Sequence, residues 1–236
     1  AVAWDIARAL ATGGARVTML TTRIPGQPAA FNRDGVEVVA LPGTTPGKYT
    51  RAWWRGSRVR FEKEFLESVT AVLSVSAGAF GLLPVKKQLP HVPFVMQAHG
   101  TSWDELVSKW STRRPLAMAS SVRNLWGLAR DLRTYDRFDV VVAIGDTVEA
   151  GLRKAPVSWA LPAHKICVIQ NGIDTTLFRP DVDARWHERT RLRWSETERV
   201  AITACRLHAQ KGVAEAVRGF AAWARSEPRA RMLIAG

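Results

Sequence analysis

The sequence predicts an α/β fold built on doubly wound parallel sheet, and three observations predict it. Short β-branched apolar runs recur along the chain, with amphipathic helical stretches between them. One run, Asp139 to Ile144 (DVVVAI), is apolar almost throughout, as a parallel strand covered on both faces must be. The stretch Lys165 to Pro180 (KICVIQNGIDTTLFRP) carries a strand into Asn171-Gly172, a dipeptide tolerant of positive φ, and a fresh α/β pattern starts beyond it. This stretch is read as a boundary between two domains, residues 1–172 and 173–236, although an ordinary strand-to-loop exit has the same turn chemistry.

Taken in order, Val2, Ile6 and Leu10 recur at helical spacing and Gly13-Gly14 ends that helix. Strands are expected at Arg16–Thr21 and Val36–Leu41. A helix follows with Phe61, Phe65, Val69 and Val72 on one face, although Ala71–Ser76 can instead begin a strand. Ala77–Leu89 is expected to be a helix interrupted near Pro84, and Pro93–Ala98 a strand ending at His99-Gly100. A helix from about Leu116 to Tyr135 is expected to bury a stripe of Val122, Leu125, Trp126, Ala129 and Leu132. Asp146 reads as the cap of a helix over Thr147–Lys154. Beyond Pro180, Asp181–Arg193 reads as a charged linking helix, followed by a strand at Arg199–Cys205. Lys211–Ala224 is then a helix and Arg231–Gly236 a last strand. A helix opening the chain and a strand closing it imply a fragment truncated at both ends, with a first strand missing.

The 236 residues are 47% hydrophobic and 23% charged, which fits a globular protein with a real core. No stretch reads as a bilayer span or a secretory signal. The two cysteines, Cys167 and Cys205, fall in expected buried strands and provide neither a disulfide framework nor a zinc set. A formal net charge of +13 favours anionic partners, namely phosphorylated ligands, nucleic acid or an acidic membrane face.

No GxGxxG, Walker A, GxSxG, HExxH or paired CxxC motif occurs, which disfavours dehydrogenase, nucleotidase, hydrolase and metalloenzyme chemistry. The positive signal is Val200–Gly212 (VAITACRLHAQKG), where a strand ends at Arg206 and Lys211-Gly212 opens a helix. Ligands bind at the carboxyl ends of strands in open α/β sheets, and a helix start adds free N–H groups. Arg206 and Lys211 there can hold a diphosphate, or they are two surface cations flanking a loop. His99, at another strand end beside a glycine, is a polar group for a sugar or reacting centre, or an ordinary turn histidine. The run Lys48–Lys63 sets Arg51, Arg55 and Arg58 beside Trp53 and Trp54, a pattern suited to an anionic membrane surface. It equally suits stacking of single-stranded nucleic acid or a solvated helix start.

Together these stretches resemble the family 4 retaining glycosyltransferases. Ala1–Thr22 is similar to the family's first helix and second strand, Pro93–Gly100 to its "PVVxTxHG" and Phe138–Leu152 to its "aDxVIAxSexxrxxL". Lys165–Pro180 is similar to "KIxVIPNGVDxxxFxP" and Val200–Gly236 to the "GRLxxxKG" start of the donor domain. Cys205 stands where the family has glycine, Gln170 where it has proline and Gly145 where it has serine.

The resemblance implies a GT-B fold of two Rossmann-like domains, the first on the acceptor side and the second binding the nucleotide sugar. It implies transfer of a hexosyl group from a UDP- or GDP-sugar to an envelope, lipid-linked or glycan acceptor, as in polysaccharide biosynthesis, with no cofactor or metal. His99 would then lie in the cleft near the transferred sugar. Arg206 and Lys211 would hold the donor diphosphate, and Asn171-Gly172 would be the interdomain hinge. Arg51, Trp53, Trp54, Arg55 and Arg58 would face the acceptor or an anionic membrane, in a cytoplasmic or peripheral location with no nucleic-acid partner. The family's E-x7-E region is not in the sequence, so the 236 residues alone are expected to show little turnover. The alternatives are a non-catalytic GT-B remnant or binding module, a basic nucleic-acid-binding α/β protein and a GT-B epimerase.

Overall fold

The computed structural model describes residues 2–111, 121–207 and 211–236. The chain divides into two units, Ala1–Asn171 and Gly172–Gly236.

The first unit opens with α1 (Val2–Thr12), β1 (Val17–Thr22), β2 (Ala30–Arg33) and β3 (Val36–Leu41). These strands form a sheet in the order β1-β3-β2, with β1 parallel and β2 antiparallel to β3. The hairpin strand β2 has no counterpart in the sequence reading. Its turn is Asp34-Gly35, both at positive φ (51° and 78°), the backbone a two-residue hairpin requires.

Next come α2 (Arg51–Glu64), β4 (Val72–Val75), β5 (Phe94–Ala98), α3 (Ser102–Ser111), α4 (Val122–Thr134), β6 (Val140–Ala143), α5 (Asp146–Leu152) and β7 (Ile166–Val168). The four strands form a second, wholly parallel sheet in the order β4-β5-β6-β7. The main core packs around it, with Phe94, Phe138, Val141, Ala143 and Leu152 all at 0% exposure. An Asp139 carboxylate clips the sheet by accepting from the Phe94 amide (2.7 Å) and from Lys86 Nζ (2.6 Å). Burial alone would raise the Asp139 pKa, but these two donors hold it below the usual carboxylate range.

The parallel α/β architecture is as expected, with the strands in three ladders among the described residues and the short β2 as the one antiparallel addition. Several local expectations are corrected. Ala77–Leu89 is two short 3-10 segments, Phe80–Leu82 and Val85–Gln88, because Pro84 has no N–H to continue a helical ladder. Gly145 holds the N-cap position of α5, and Asp146 lies in its first turn. Part of the stretch expected to start a helix at Leu116 lies outside the described residues, and α4 begins at Val122. Its buried positions are not the apolar stripe: Leu125 and Trp126 are exposed, whereas Asn124 and Asp131 are buried. Cys167 and Cys205 are each half-buried free thiols.

The second unit contains α6 (Val182–Arg191) and one parallel βαβ element, β8 (Arg199–Ala204), α7 (Val213–Ala224) and β9 (Ala230–Ala235). Asp181 caps α6 by accepting from the Ala184 amide (2.8 Å). Its packing is thin. No residue of α7 is buried, Ile202 of β8 is 67% exposed, and Arg231 forms a two-pronged contact with Glu198 (2.6 and 2.9 Å).

Candidate functional site at the carboxyl edge of the four-stranded sheet

A cavity of about 190 Å³ opens where β4 and β5 end, lined by Ser76, His99, Ser102, Glu105, Arg130 and Asp131 among others. Its position follows from the chain. Each parallel strand must turn back through a helix, and the turns leave a crevice at the carboxyl edge. After β4 the chain turns through Ser76, a non-glycine residue at φ 50°. That turn is pinned from α2, whose Trp53 and Trp54 indoles donate to the Gly78 and Ala77 carbonyls (2.8 and 2.9 Å). The approach is so close that a Cβ on Gly81 would lie 2.3 Å from the Trp54 carbonyl oxygen.

After β5, Gly100 at φ 148° turns the backbone sharply into α3. Thr101 caps that helix, accepting from the Asp104 amide (3.0 Å) and donating to Asp104 Oδ2 (2.6 Å). From α4, the buried Asp131 carboxylate accepts from the Ser102 amide (3.1 Å) and from Arg130 Nη2 (3.3 Å). The Arg130 guanidinium also lies over the rings of Trp54 (5.6 Å) and Phe80 (5.4 Å). Burial first, then the neighbouring Asp131 carboxylate, pushes the Tyr135 phenol well above its ordinary range, so it stays neutral.

His99 sits at the mouth. Its Nε2 bonds Gln97 Oε1 (3.1 Å), while Gln97 Nε2 donates to Asn171 Oδ1 (3.1 Å). Because the buried Gln97 amide presents its carbonyl to the ring, Nε2 carries the proton and Nδ1 is left as an acceptor. Partial burial lowers the His99 pKa from its ordinary value, which favours the neutral imidazole. A neutral ring with a fixed tautomer can accept a hydrogen bond from a ligand hydroxyl at one defined atom.

The other expected site residues distribute as follows. Asn171 is joined to β5 through Gln97, and Gly172 begins the second unit. Trp53 is 3% exposed and Trp54 half-buried, and both indole N–H groups are spent on the β4 turn. They are therefore structural tryptophans and not a membrane-facing pair. Arg51 and Arg55 are exposed and Arg58 is half-buried. In the second unit Arg206 follows β8 and Lys211 precedes α7, whose N-cap is Gly212 at φ 64°. Both cations are exposed, and residues 208–210 between them, including His208, lie outside the described residues. Among the described residues no group of three His, Cys, Asp or Glu gathers to hold a metal, and no helix is long and apolar enough to cross a membrane.

Arg130, Asp131, Tyr135 and Gln97 were not anticipated from the sequence. The signal was available for α4, where polar or aromatic residues recur at Asn124, Asp131 and Tyr135 with helical spacing, a stripe competing with the apolar one.

The glycosyltransferase family 4 model matches residues 1–177. No curated protein matches the chain. Among solved structures, sucrose-phosphate synthase from Thermosynechococcus elongatus is similar at TM-score 0.72 and 19% identity, over 98% of this chain and 54% of that one. HepE from Anabaena, in complex with UDP and glucose, is similar at TM-score 0.55 and 16% identity, over 84% of this chain and 47% of that one. UGT71G1 from Medicago truncatula, complexed with UDP-glucose, gives TM-score 0.52 and 10% identity, over 100% of this chain and 68% of that one. The chain thus spans about half the length of the first two, and at these identities the likeness establishes the GT-B fold alone. With the family model covering three quarters of its residues, the chain belongs to glycosyltransferase family 4.

Proposed function

We propose that the protein transfers a hexosyl group from a nucleotide-diphosphate sugar to an envelope, lipid-linked or glycan acceptor, with retention of anomeric configuration. The observation that carries this reading is His99, a neutral, tautomer-fixed imidazole at the mouth of a strand-end cavity. Its free Nδ1 would accept from a hydroxyl of the transferred sugar and orient the ring for attack. In the second unit, Arg206 and Lys211 would bind the donor diphosphate and stabilise the charge that develops on it as the glycosidic bond breaks. The reading is supported by their exposure and by their placement at a strand end and a helix start. UDP is favoured as the nucleotide because HepE and UGT71G1 were solved with UDP or UDP-glucose. Asn171-Gly172 would act as the hinge between the acceptor-side and donor-side units. Peripheral contact with an anionic membrane would involve Arg55 and Arg58, and not the indoles.

The test, made on the protein as its whole gene encodes it, is direct binding of UDP-glucose and GDP-mannose, followed by nuclear magnetic resonance of any glycoside formed. Binding of one donor that falls about tenfold or more in Arg206→Ala or Lys211→Ala, and an α-linked product from an α-linked donor, are expected. Failure of every nucleotide-diphosphate sugar to bind, or an inverted product, would overturn the reading. His99 should titrate below the ordinary value of about 6.5, and turnover should fall as acid protonates it, with Nδ1 then lost as an acceptor.

A further inference from the structure

Beside the His99 cavity lies a larger groove of about 520 Å³, lined by Arg51, Trp54, Lys109, Trp126 and Arg130 with Glu105 among them. Ser102, Glu105 and Arg130 line both, so the groove is continuous with the His99 cavity within the first unit. Arg51, Lys109 and Arg130 line it with one carboxylate, Glu105, which accepts from Asn124 Nδ2 (3.1 Å). Arg130 is already paired with Asp131 (3.3 Å) and Lys109 donates to Asn124 Oδ1 (2.9 Å), so the charge open to a ligand rests on Arg51. Arg51 is the telling residue. It is exposed in the first turn of α2, a turn with no acidic residue, and makes no ion pair among the described residues. A cation there opposes the helix dipole, and an anion bound in the groove would offset that unfavourable interaction. Trp126, 78% exposed on α4, offers an indole face that the described residues leave uncovered.

We propose that this groove is the acceptor site and that it selects a sugar bearing an anionic group, a carboxylate or a phosphate ester. Arg51 binds the anion and Trp126 stacks on the sugar ring. This rests on the transferase reading for the word acceptor, but the groove's preference for anionic sugars is measurable without turnover. Chemical-shift titrations of the intact chain with glucuronate, glucose 6-phosphate, glucose and inorganic phosphate separate the contributions. Both anionic sugars should bind at least about tenfold tighter than glucose, the difference expected of a charge-assisted hydrogen bond. The relative affinity of the two identifies carboxylate or phosphate as the natural group. Arg51→Ala and Arg51→Gln should abolish that advantage, Trp126→Ala should weaken all three sugars, and Lys87→Ala, exposed and outside the groove, should change nothing.

Equal affinity for glucose and its anionic derivatives, or an advantage that survives both Arg51 variants, overturns the proposal. Inorganic phosphate binding as tightly as glucose 6-phosphate overturns the stacking role of Trp126. Transfer to neutral and anionic acceptors with equal kcat/KM, donor binding being intact, also overturns it while leaving the transferase reading standing. The reverse result, anionic sugars preferred and no donor bound, supports the groove and sinks the transferase reading.

Discussion

The two units handle charge in opposite ways. In the first, the polar groups of the site are built in: Asp131 is 2% exposed and caps a neighbouring helix, and Gln97 is 6% exposed with both ends of its amide bonded. In the second, Arg206 and Lys211 are exposed at a strand end and a helix start with little core beneath them. Buried polar groups that are fully paired hold one geometry, because leaving any of them unpaired costs free energy. Exposed cations hold no geometry but keep their charge available. The His99 cavity of the first unit is thus built to orient uncharged hydroxyls, whereas the exposed cations of the second unit offer charge without a fixed geometry.

The comparison breaks most visibly in the cores. Phe94→Ala, at a fully buried ring in the four-stranded sheet, should destabilise the first unit by about 3–5 kcal/mol. Ile202→Ala in the second should cost far less, because most of that side chain is already exposed. Urea denaturation followed separately in each unit measures both, and equal losses would contradict the contrast. Next, Asp131→Ala should cost about 1–3 kcal/mol by leaving the Ser102 amide and Arg130 without their acceptor. Asp131→Asn, which keeps an acceptor, should recover part of it, and a neutral effect of both would mean that the carboxylate does not organise the cavity.

A smaller effect is expected at Asp139. Its folded-state pKa is depressed, so its contribution is present above the ordinary carboxylate pKa and is lost as pH falls through the folded value. With nearly half its side chain exposed, that contribution is worth under about 1 kcal/mol. Asp139→Asn should flatten the acid limb of stability against pH, and an unchanged limb would assign it elsewhere. Smallest of all, Arg206→Ala and Lys211→Ala should shift stability by less than about 0.5 kcal/mol, which thermal unfolding can check.

Much of the fold was legible because its rules are local. The helix ended by Gly13-Gly14 and the strands at Val36–Leu41, Phe94–Ala98 and Arg199–Ala204 follow from periodicity and turn residues. The hairpin strand β2 carries a turn signal in Asp34-Gly35, but Ala30–Arg33 is too short and too polar to read as a strand by periodicity. On α4 two stripes competed, and hydrophobicity selected the wrong one. The helix buries Asn124 and Asp131 because α3 offers them an amide donor, a carboxylate and a lysine. The Trp53-Trp54 pair misled for a related reason. An indole beside arginine reads as interfacial until a carbonyl within reach takes its N–H.

By itself the amino-acid sequence determined the α/β class, the placement of most strands and the position of His99 at a strand end, since each depends on residues close in the chain. Only the tertiary structure decided which face of α4 is buried, which tautomer His99 holds, and that Arg51, Lys109, Trp126 and Arg130 line one groove. Those outcomes depend on partners brought from Gln97, Asn171, Ser102 and Glu105, and a contact between residues distant in sequence exists only once the chain has folded around it.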